Sequence, residues 1–284
     1  MHVGTMSGTF KRLTLEEALD AALAHDIRHL QFNLSTLNVS GALQEKLNAA
    51  RTTVRAQIEK RGMTVAALAG QANMVDPDPV KRQEGIERIK LFISACHDVG
   101  TGVLATCTGS RHPENMWRTH PDNDCAETWA VLRDTLEQLL PHAEAHNVML
   151  AFEPEICQVA SSAAKSKRLI DEMGSPNLKV VLDAANLFGE GDLPRMSEVL
   201  DEAFQLLGDH VAIAHAKDLD REGDAGHLPA GSGKLDYERY VSLLCALPLD
   251  VSVILHGLTE AQLDDSAEML RRLAAPYATQ QYGD

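Results

Sequence analysis

Four ionisable side chains stand at the ends of short apolar runs in the second half of the chain. Glu153 follows VMLAF, Asp183 follows KVVL, His215 lies in VAIAHAKD and His256 follows VSVIL. Two carboxylates and two imidazoles form a ligand set suited to Mn²⁺, Zn²⁺, Co²⁺ or Fe²⁺, whereas an all-oxygen set favours Mg²⁺ or Ca²⁺. These residue types therefore predict one divalent metal ion, with manganese or zinc preferred and magnesium, cobalt or iron as the alternatives.

The spacing of these four residues indicates that they converge in space. Consecutive members follow one another at intervals close to the roughly 30 residues of a βαβ unit. In a parallel barrel the carboxyl ends of the strands meet at one mouth, where catalytic side chains are held. For any one residue, a polar strand end that simply meets water is an equally good explanation, but it is a poorer one for all four together.

Apolar runs alternate with segments of helical period along the whole chain, which is the pattern of repeated βα units. The predicted strands are His2–Thr5, His29–Asn33, Val65–Ala69, Gly102–Cys107, Val148–Glu153, Lys179–Asp183, Val211–Ala216 and Ser252–His256. The predicted helices are Thr14–His25, Val80–Val99, Asp124–His146, Ser161–Met173, Met196–Leu207, Tyr237–Ala246 and Thr259–Leu273. Thr14 and Glu17 predict a capped start for the first helix, and Gly100 predicts the end of the second.

This pattern predicts an α/β fold, a single (β/α)8 TIM barrel domain over residues 1–284. Such barrels typically occupy about 250 residues as one unit. A doubly wound sheet would need a glycine fingerprint after its first strand, and Gly4 and Gly8 lack its spacing. Gly231 and Gly233, in GSGK, likewise lack the spacing of a P-loop, although this loop remains a candidate for donating backbone amides to a polar substrate.

Composition excludes several classes of protein. The chain has 284 residues, of which 44% are hydrophobic, and its 41 acidic against 26 basic residues give a net charge of −15, which disfavours nucleic acid and anionic membranes as partners. Five scattered cysteines without a C-x-x-C pair argue against a disulfide framework. Neither a signal peptide nor a long apolar segment is recognisable. We therefore expect a cytoplasmic protein that contacts no membrane, and leave open whether it forms a homo-oligomer.

Several stretches resemble the xylose isomerase-like TIM barrel superfamily, which holds sugar phosphate isomerases and epimerases, inosose-processing enzymes and the AP endonuclease family 2 of DNA repair enzymes. They are AFEPE, VVLDAANL, IAHAKD, HLPAGSGKLDY, LAGQANMVDPDP and TGSRHPENMW. The resemblance implies a metal held by Glu, Asp, His and Glu at the ends of the last four strands. The first three correspond to Glu153, Asp183 and His215, whereas His256 stands where the family has its second glutamate.

This departure bears on the reaction. In epimerases of the family the two glutamates are thought to act as opposed acid and base, so the resemblance gives Glu153 one of these roles and His256 the other. Imidazole binds metals and moves protons near neutral pH, but it differs from a carboxylate in size and charge. Glu260 is a possible substitute, with helix capping as the competing explanation.

Other residues near these strand ends are candidates for supporting roles. Lys217 would stabilise a developing enediolate oxygen, or form a salt bridge with Asp218 or Glu155. Glu155 is a candidate for substrate binding or simply a solvated rim residue. Asn186 occupies a position that touches substrate in relatives, with turn formation as the alternative, and His227 lies in a loop that approaches the mouth.

The long segment Thr108–Asn123 follows the fourth predicted strand and is rich in Arg, His and Trp. Loops after barrel strands shape substrate pockets. Arg111, His112 and Trp117 are therefore predicted to form part of the substrate-binding wall. A sugar ring stacked on Trp117 competes with the more common role of a tryptophan that anchors its loop.

Taken together, the residues and the resemblance predict a metal-dependent isomerase or epimerase of a small polyhydroxy substrate, a sugar, keto-sugar or polyol, working through an enediolate. A dehydratase or lyase acting on a keto-sugar or inosose-like substrate begins with the same proton abstraction and is the alternative. A DNA repair nuclease is disfavoured by the acidic charge. A non-catalytic binding barrel is the third class.

Overall fold

Eight parallel strands close into a barrel in the computed structural model, which describes residues 1–278. The strands are β1 (His2–Met6), β2 (His29–Phe32), β3 (Thr64–Ala69), β4 (Val103–Cys107), β5 (Met149–Glu153), β6 (Leu178–Asp183), β7 (Val211–Asp218) and β9 (Ser252–Leu255), and the short β8 (Leu228–Pro229) pairs antiparallel with the end of β7. Neighbours follow the order β1 to β7 and then β9, which pairs with β1 and so completes the ring. The predicted (β/α)8 TIM barrel is confirmed.

Over residues 1–278, eight α-helices follow the barrel strands and cover the outside of the barrel. They are α1 (Leu15–Ala24), α2 (Leu43–Lys60), α3 (Pro79–Val99), α4 (Ala126–Ala145), α5 (Ala163–Met173), α6 (Met196–Leu207), α7 (Tyr237–Cys245) and α8 (Leu263–Ala278). Within residues 1–278, none of the helices is both long and apolar enough to cross a bilayer.

Among the helices of the described residues, α2 alone was not predicted from the sequence. Its buried side chains are Leu47, Ala50, Val54 and Ile58, a narrow stripe at helical spacing on an otherwise polar segment. The rule that a helix follows each strand would have located it, because a parallel neighbour needs a crossover connection.

The predicted helix ends are confirmed where the chain has clear capping residues. The Thr14 hydroxyl accepts a hydrogen bond from the backbone N–H of Glu17, whose carboxylate accepts one from the backbone N–H of Thr14. Gly100 ends α3 with φ of 100°, a left-handed conformation that disfavours any residue with a β-carbon.

The inside of the barrel is filled by small and branched side chains that alternate along the strands. They are Ala67, Val103, Ala105, Ala151, Val181, Ile213 and Ile254. A larger apolar core lies between the strands and the helices. Because successive strand residues point to opposite sides, the residues two positions beyond these also face the barrel axis.

Candidate metal and catalytic centre

Side chains alternate between the two faces of each strand, and this alternation places the four predicted residues at the barrel mouth. Ala151, Val181, Ile213 and Ile254 face the barrel interior, and Glu153, Asp183, His215 and His256 each stand two positions further along the same strand or immediately after it. In the β6–β7 pairing, Asp183 lies directly opposite His215.

His215 lies between the two carboxylates. Its Nδ1 atom is 3.2 Å from Glu153 Oε1 and 3.8 Å from Asp183 Oδ2. All three residues are buried. On the other side of the ring, Nε2 donates to Gln31 Oε1 at 2.8 Å, so the Nδ1 lone pair faces two carboxylate oxygens. A shared proton or cation between these atoms would stabilise that arrangement.

His256 follows β9 and completes the group. Its ring lies 5.2 Å from the ring of His215, at 71° to it, and its backbone N–H donates to the Ala216 carbonyl. Burial, followed by the positive charge of Lys217, lowers the pKa of His256 to about 3. The neutral ring keeps a buried Nδ1 atom that makes no hydrogen bond.

The donor set fits a divalent cation. One ligand atom from each of Asp183, His215 and His256 lies within 4.8 Å of the others. Metal–ligand bonds of about 2.0–2.3 Å place ligand atoms at comparable separations. His256 Nδ1 is buried without a hydrogen-bond partner, and unsatisfied buried polar atoms are uncommon in native proteins. The buried Asp183 Oδ2 faces the Lys217 ammonium at 3.2 Å. Glu153 borders this triad through its contact with His215.

Lys217 reaches the same carboxylates from β7. Its Nζ atom lies 3.2 Å from Asp183 Oδ2 and 3.4 Å from Glu153 Oε1, so the partners considered from sequence, Asp218 and Glu155, were wrong. Burial lowers the pKa of Lys217, but Asp183 and Glu153 outweigh it and raise that pKa above its ordinary value. Burial likewise raises the pKa of Glu153, while Lys217 and His215 hold it below its usual range.

Glu155 is a second acid at the mouth and is buried, not solvated. Its Oε1 atom accepts a hydrogen bond from the Cys157 thiol at 3.0 Å. Burial, followed by the negative charge of Glu153, raises the pKa of Glu155 to about 7. This carboxyl group therefore exchanges a proton near neutral pH.

Asn186 lies behind Glu153. Its Nδ2 atom donates to Glu153 Oε1 at 2.7 Å, and its Oδ1 atom accepts from the backbone N–H of Gly226 at 2.9 Å. The side chain is fully buried. This placement orients the Glu153 carboxylate and links it to the loop after β7.

Sequence reasoning missed Gln31, which holds His215, and two tyrosines of α7. The Tyr240 hydroxyl lies 2.9 Å from the Leu182 carbonyl and 2.8 Å from the His215 carbonyl, and the Tyr237 hydroxyl donates to the Lys217 carbonyl at 2.7 Å. A polar residue inside the predicted strand HLQFN was the available signal for Gln31. The tyrosines looked like ordinary core residues of an amphipathic helix.

The glycine-containing loop after β7 is organised by Asp218. The Asp218 carboxylate accepts hydrogen bonds from the backbone N–H groups of Leu219, Gly231, Gly233 and Leu235. A β-carbon on Gly233 would lie 2.4 Å from Asp218 Oδ1 and 2.5 Å from the Leu219 carbonyl oxygen. Three of the loop amides considered for a substrate are therefore engaged by the protein.

Two candidates near the mouth are directed elsewhere. His227 is exposed, and its ring lies 3.2 Å from Asp220 Oδ1 and 3.1 Å from Arg221 Nη1 at the surface. The Glu260 carboxylate accepts hydrogen bonds from Arg12 Nη1 at 2.9 Å and Arg12 Nη2 at 2.6 Å. This ion pair joins the loop after β9 to the loop after β1. Glu260 is thus occupied as an ion-pair partner.

The three candidate residues in the long loop after β4 have different surroundings. Arg111 donates to the carbonyls of Val75 and Asp76, which fastens this loop to the one after β3. The His112 ring accepts backbone hydrogen bonds from within its own loop. The Trp117 side chain is 45% exposed and lines the mouth.

A cavity of about 820 Å³ opens at the barrel mouth and is lined by Glu153, His215 and His256. Its wall also includes Glu155 and Lys217. The remaining polar lining consists mainly of amide and hydroxyl side chains, namely Thr9, Gln31, Asn33, Ser35, Gln71, Thr259 and Gln262. Such groups both donate and accept hydrogen bonds.

Comparisons with known proteins agree with this architecture. A model of the xylose isomerase-like TIM barrel family matches residues 19–273. Among solved structures, the 3-keto-D-glucoside 4-epimerase of E. coli is 18% identical, with a TM-score of 0.71 over 98% of this chain and 99% of its own. An L-ribulose 3-epimerase is 15% identical, with a TM-score of 0.74 over 99% and 97%. The probable 3-DHS dehydratase AsbF of Bacillus anthracis is 12% identical, with a TM-score of 0.73 over 95% and 98%.

Proposed function

Because the chain belongs to the xylose isomerase-like TIM barrel family, we propose that it is a divalent-metal-dependent isomerase or epimerase of an uncharged sugar or related polyhydroxy ketone. The observation that carries the proposal is the meeting of Asp183, His215 and His256 at the barrel mouth, where one ligand atom from each lies within 4.8 Å of the others and His256 Nδ1 is buried without a hydrogen-bond partner. Glu153 stands beside them on the wall of the open cavity.

Asp183, His215 and His256 would hold the cation, with Glu153 as a further ligand. A bound divalent ion would polarise a substrate carbonyl and an adjacent hydroxyl, and so acidify the C–H bond between them. Manganese or zinc suits a site with two imidazoles. Gln31 keeps the His215 ring oriented toward this position because Gln31 Oε1 accepts a hydrogen bond from Nε2–H.

Glu153 is the proposed base that removes the proton next to the carbonyl. Asn186 donates to Oε1, which fixes the carboxylate and leaves Oε2 as its second basic atom. Lys217 lies 3.4 Å from Glu153 and lines the same cavity, where an ammonium group stabilises negative charge that develops on a substrate oxygen. His256 is the proposed proton carrier on the side of the substrate carbon opposite to Glu153.

The lining of the cavity supports an uncharged substrate. Lys217 is the only lysine or arginine among the lining residues described, and Asp183 and Glu153 already pair with it. Asp224, and Glu155 in its ionised form, add negative charge to the wall, which disfavours a phosphate ester or a carboxylate. Trp117 offers a flat face against which a sugar ring packs. The two epimerases of similar fold act on sugars, which supports the same class.

Elimination of water is the second candidate, and the identity of His256 favours it. Two-base epimerisation uses an acid and a base on opposite faces of one carbon, whereas elimination uses one base and an acid at the leaving hydroxyl. Glu155 provides a separate buried carboxyl group on the cavity wall. A probable dehydratase of similar fold supports this variant.

Solvent deuterium incorporation tests the proposal directly. The purified protein, loaded with Mn²⁺ or Zn²⁺, is incubated in D₂O with ketoses, keto-polyols and their glycosides, and exchange is followed by NMR. We expect exchange of the proton next to the carbonyl, abolished by Glu153→Gln and by removal of the metal. Loss of water from the substrate would assign the dehydratase instead.

Glu260→Gln is the matched control, because Glu260 lies near the mouth but is bound by Arg12. It should retain exchange. Substrate binding without exchange in the wild type, under every metal tested, would indicate a non-catalytic binding barrel and contradict the proposal.

A further inference from the structure

An ammonium group lies inside the carboxylate pair that faces the proposed cation site. We propose that Lys217 is a built-in competitor of the divalent cation, which neutralises Asp183 and Glu153 before the metal binds and must withdraw from them when it does. This inference rests on the cation site of the proposed function. It concerns how that site is regulated, whichever reaction is carried out there.

The distances set up the competition. Lys217 Nζ lies 3.2 Å from Asp183 Oδ2 and 3.4 Å from Glu153 Oε1. These are the same two oxygens that face His215 Nδ1. A cation held by Asp183, His215 and His256 would share Asp183 Oδ2 with the ammonium and would therefore lie close to it. Two positive groups so close together repel strongly where water is scarce.

The backbone of Lys217 is fixed, so only its side chain can move. Its carbonyl accepts the Tyr237 hydroxyl hydrogen bond at 2.7 Å, and β7 is paired with strands on both sides. The aliphatic part of the side chain passes beside Gly257, where a β-carbon would lie 3.5 Å from Lys217 Cγ. The side chain also lines the open cavity, which gives the ammonium a place to go.

Lys217 stabilises the two carboxylates of the site when no metal is bound. Two buried carboxylates without a partner would be costly, since unpaired buried charge destabilises a fold strongly. Lys217 is 6% exposed and pairs with both. The same contact weakens metal affinity, because the cation must replace an attraction that already exists. A substrate oxygen that attracts the ammonium would then favour metal binding.

Metal titration of charge-removing and charge-keeping variants tests this inference. Mn²⁺ binding is measured by calorimetry for the full-length wild type, Lys217→Met and Lys217→Arg. Lys234→Met is the matched control, since Lys234 is exposed, donates to the Asp220 carbonyl and carries the same charge. We expect Lys217→Met to bind Mn²⁺ at least about tenfold more tightly than the wild type, and the other two variants to show no such gain.

A stability measurement guards against misfolding of the variant. Without metal, Lys217→Met should melt at a lower temperature than the wild type, and saturating Mn²⁺ should raise its melting temperature more than that of the wild type. Equal or weaker Mn²⁺ binding by a folded Lys217→Met protein, or no binding by either protein, would overturn the inference. A tightened Lys217→Met protein together with a wild type that exchanges no sugar proton would refute the proposed function alone.

Discussion

Replacing Gln31 with leucine isolates the contact that orients the central histidine. Gln31 Oε1 accepts from His215 Nε2 at 2.8 Å, and both side chains are almost completely buried. Leucine has a similar size but no acceptor. The substitution therefore leaves a buried N–H group without a partner and removes the preference for the tautomer whose lone pair lies on Nδ1.

Two independent magnitudes apply to this change. A buried donor that loses its acceptor costs about 1–3 kcal/mol of folding stability. Outer-shell partners of metal-binding histidines are worth about 10–100-fold in metal affinity, which corresponds to about 1.4–2.7 kcal/mol. We expect Gln31→Leu to lose both amounts, because the same hydrogen bond orients the ring in the presence and absence of metal.

Three measurements test the effect of Gln31→Leu. Urea denaturation gives the change in the free energy of unfolding, calorimetry gives the Mn²⁺ affinity, and nitrogen-15 NMR of the imidazoles reports the tautomer of His215. Gln71→Leu is the matched control, since Gln71 lines the cavity and is exposed. A folded Gln31→Leu protein with wild-type metal affinity and an unchanged tautomer would refute the role given to Gln31.

Two further predictions concern the scaffold. Asp218→Asn should lower the free energy of unfolding by about 3 kcal/mol, because the carboxylate accepts hydrogen bonds from four buried or partly buried backbone N–H groups. In the same urea titration, Asp220→Asn should change the free energy of unfolding by less than about 0.5 kcal/mol, because Asp220 is exposed. Burial, followed by repulsion from His2, lowers the pKa of His29 from 6.5 to about 4. As the pH falls, His29 is therefore protonated in the unfolded chain at a higher pH than in the folded protein. The contribution of neutral His29 to stability is present above pH 6.5 and is lost as the pH falls toward 4. His29→Gln should remove about 1–2 kcal/mol of that pH dependence, a partial value because the ring is partly exposed, and an unchanged slope of stability against pH would contradict it.

The fold was predictable because each level of the sequence agreed with it. Apolar runs gave the eight barrel strands, and Thr14 and Gly100 marked helix ends by local chemistry. Strand alternation then determined that Glu153, Asp183 and His215 face one axis. Helix α2 was missed because its apolar stripe is narrow and its surface is highly charged.

The contacts made by individual side chains were less predictable, because they depend on neighbours far away in the sequence. Lys217 was expected either to stabilise an enediolate oxygen or to form a salt bridge with Asp218 or Glu155. The structure pairs it with Asp183 and Glu153 instead. The loop HLPAGSGKLDY looked like a ligand-binding segment, but its amides converge on Asp218, which nothing in the local sequence indicates.

The metal content of the protein tests the central claim most directly. Asp183 Oδ2 is buried and lies 3.8 Å from His215 Nδ1 and 3.2 Å from Lys217 Nζ. After dialysis against Mn²⁺ or Zn²⁺, we predict about one equivalent of metal per chain by elemental analysis. The nearly isosteric Asp183→Asn should lose it while remaining folded. A wild type that retains no metal under either condition, or an Asp183→Asn protein that binds as much as the wild type, would contradict a cation site at the barrel mouth.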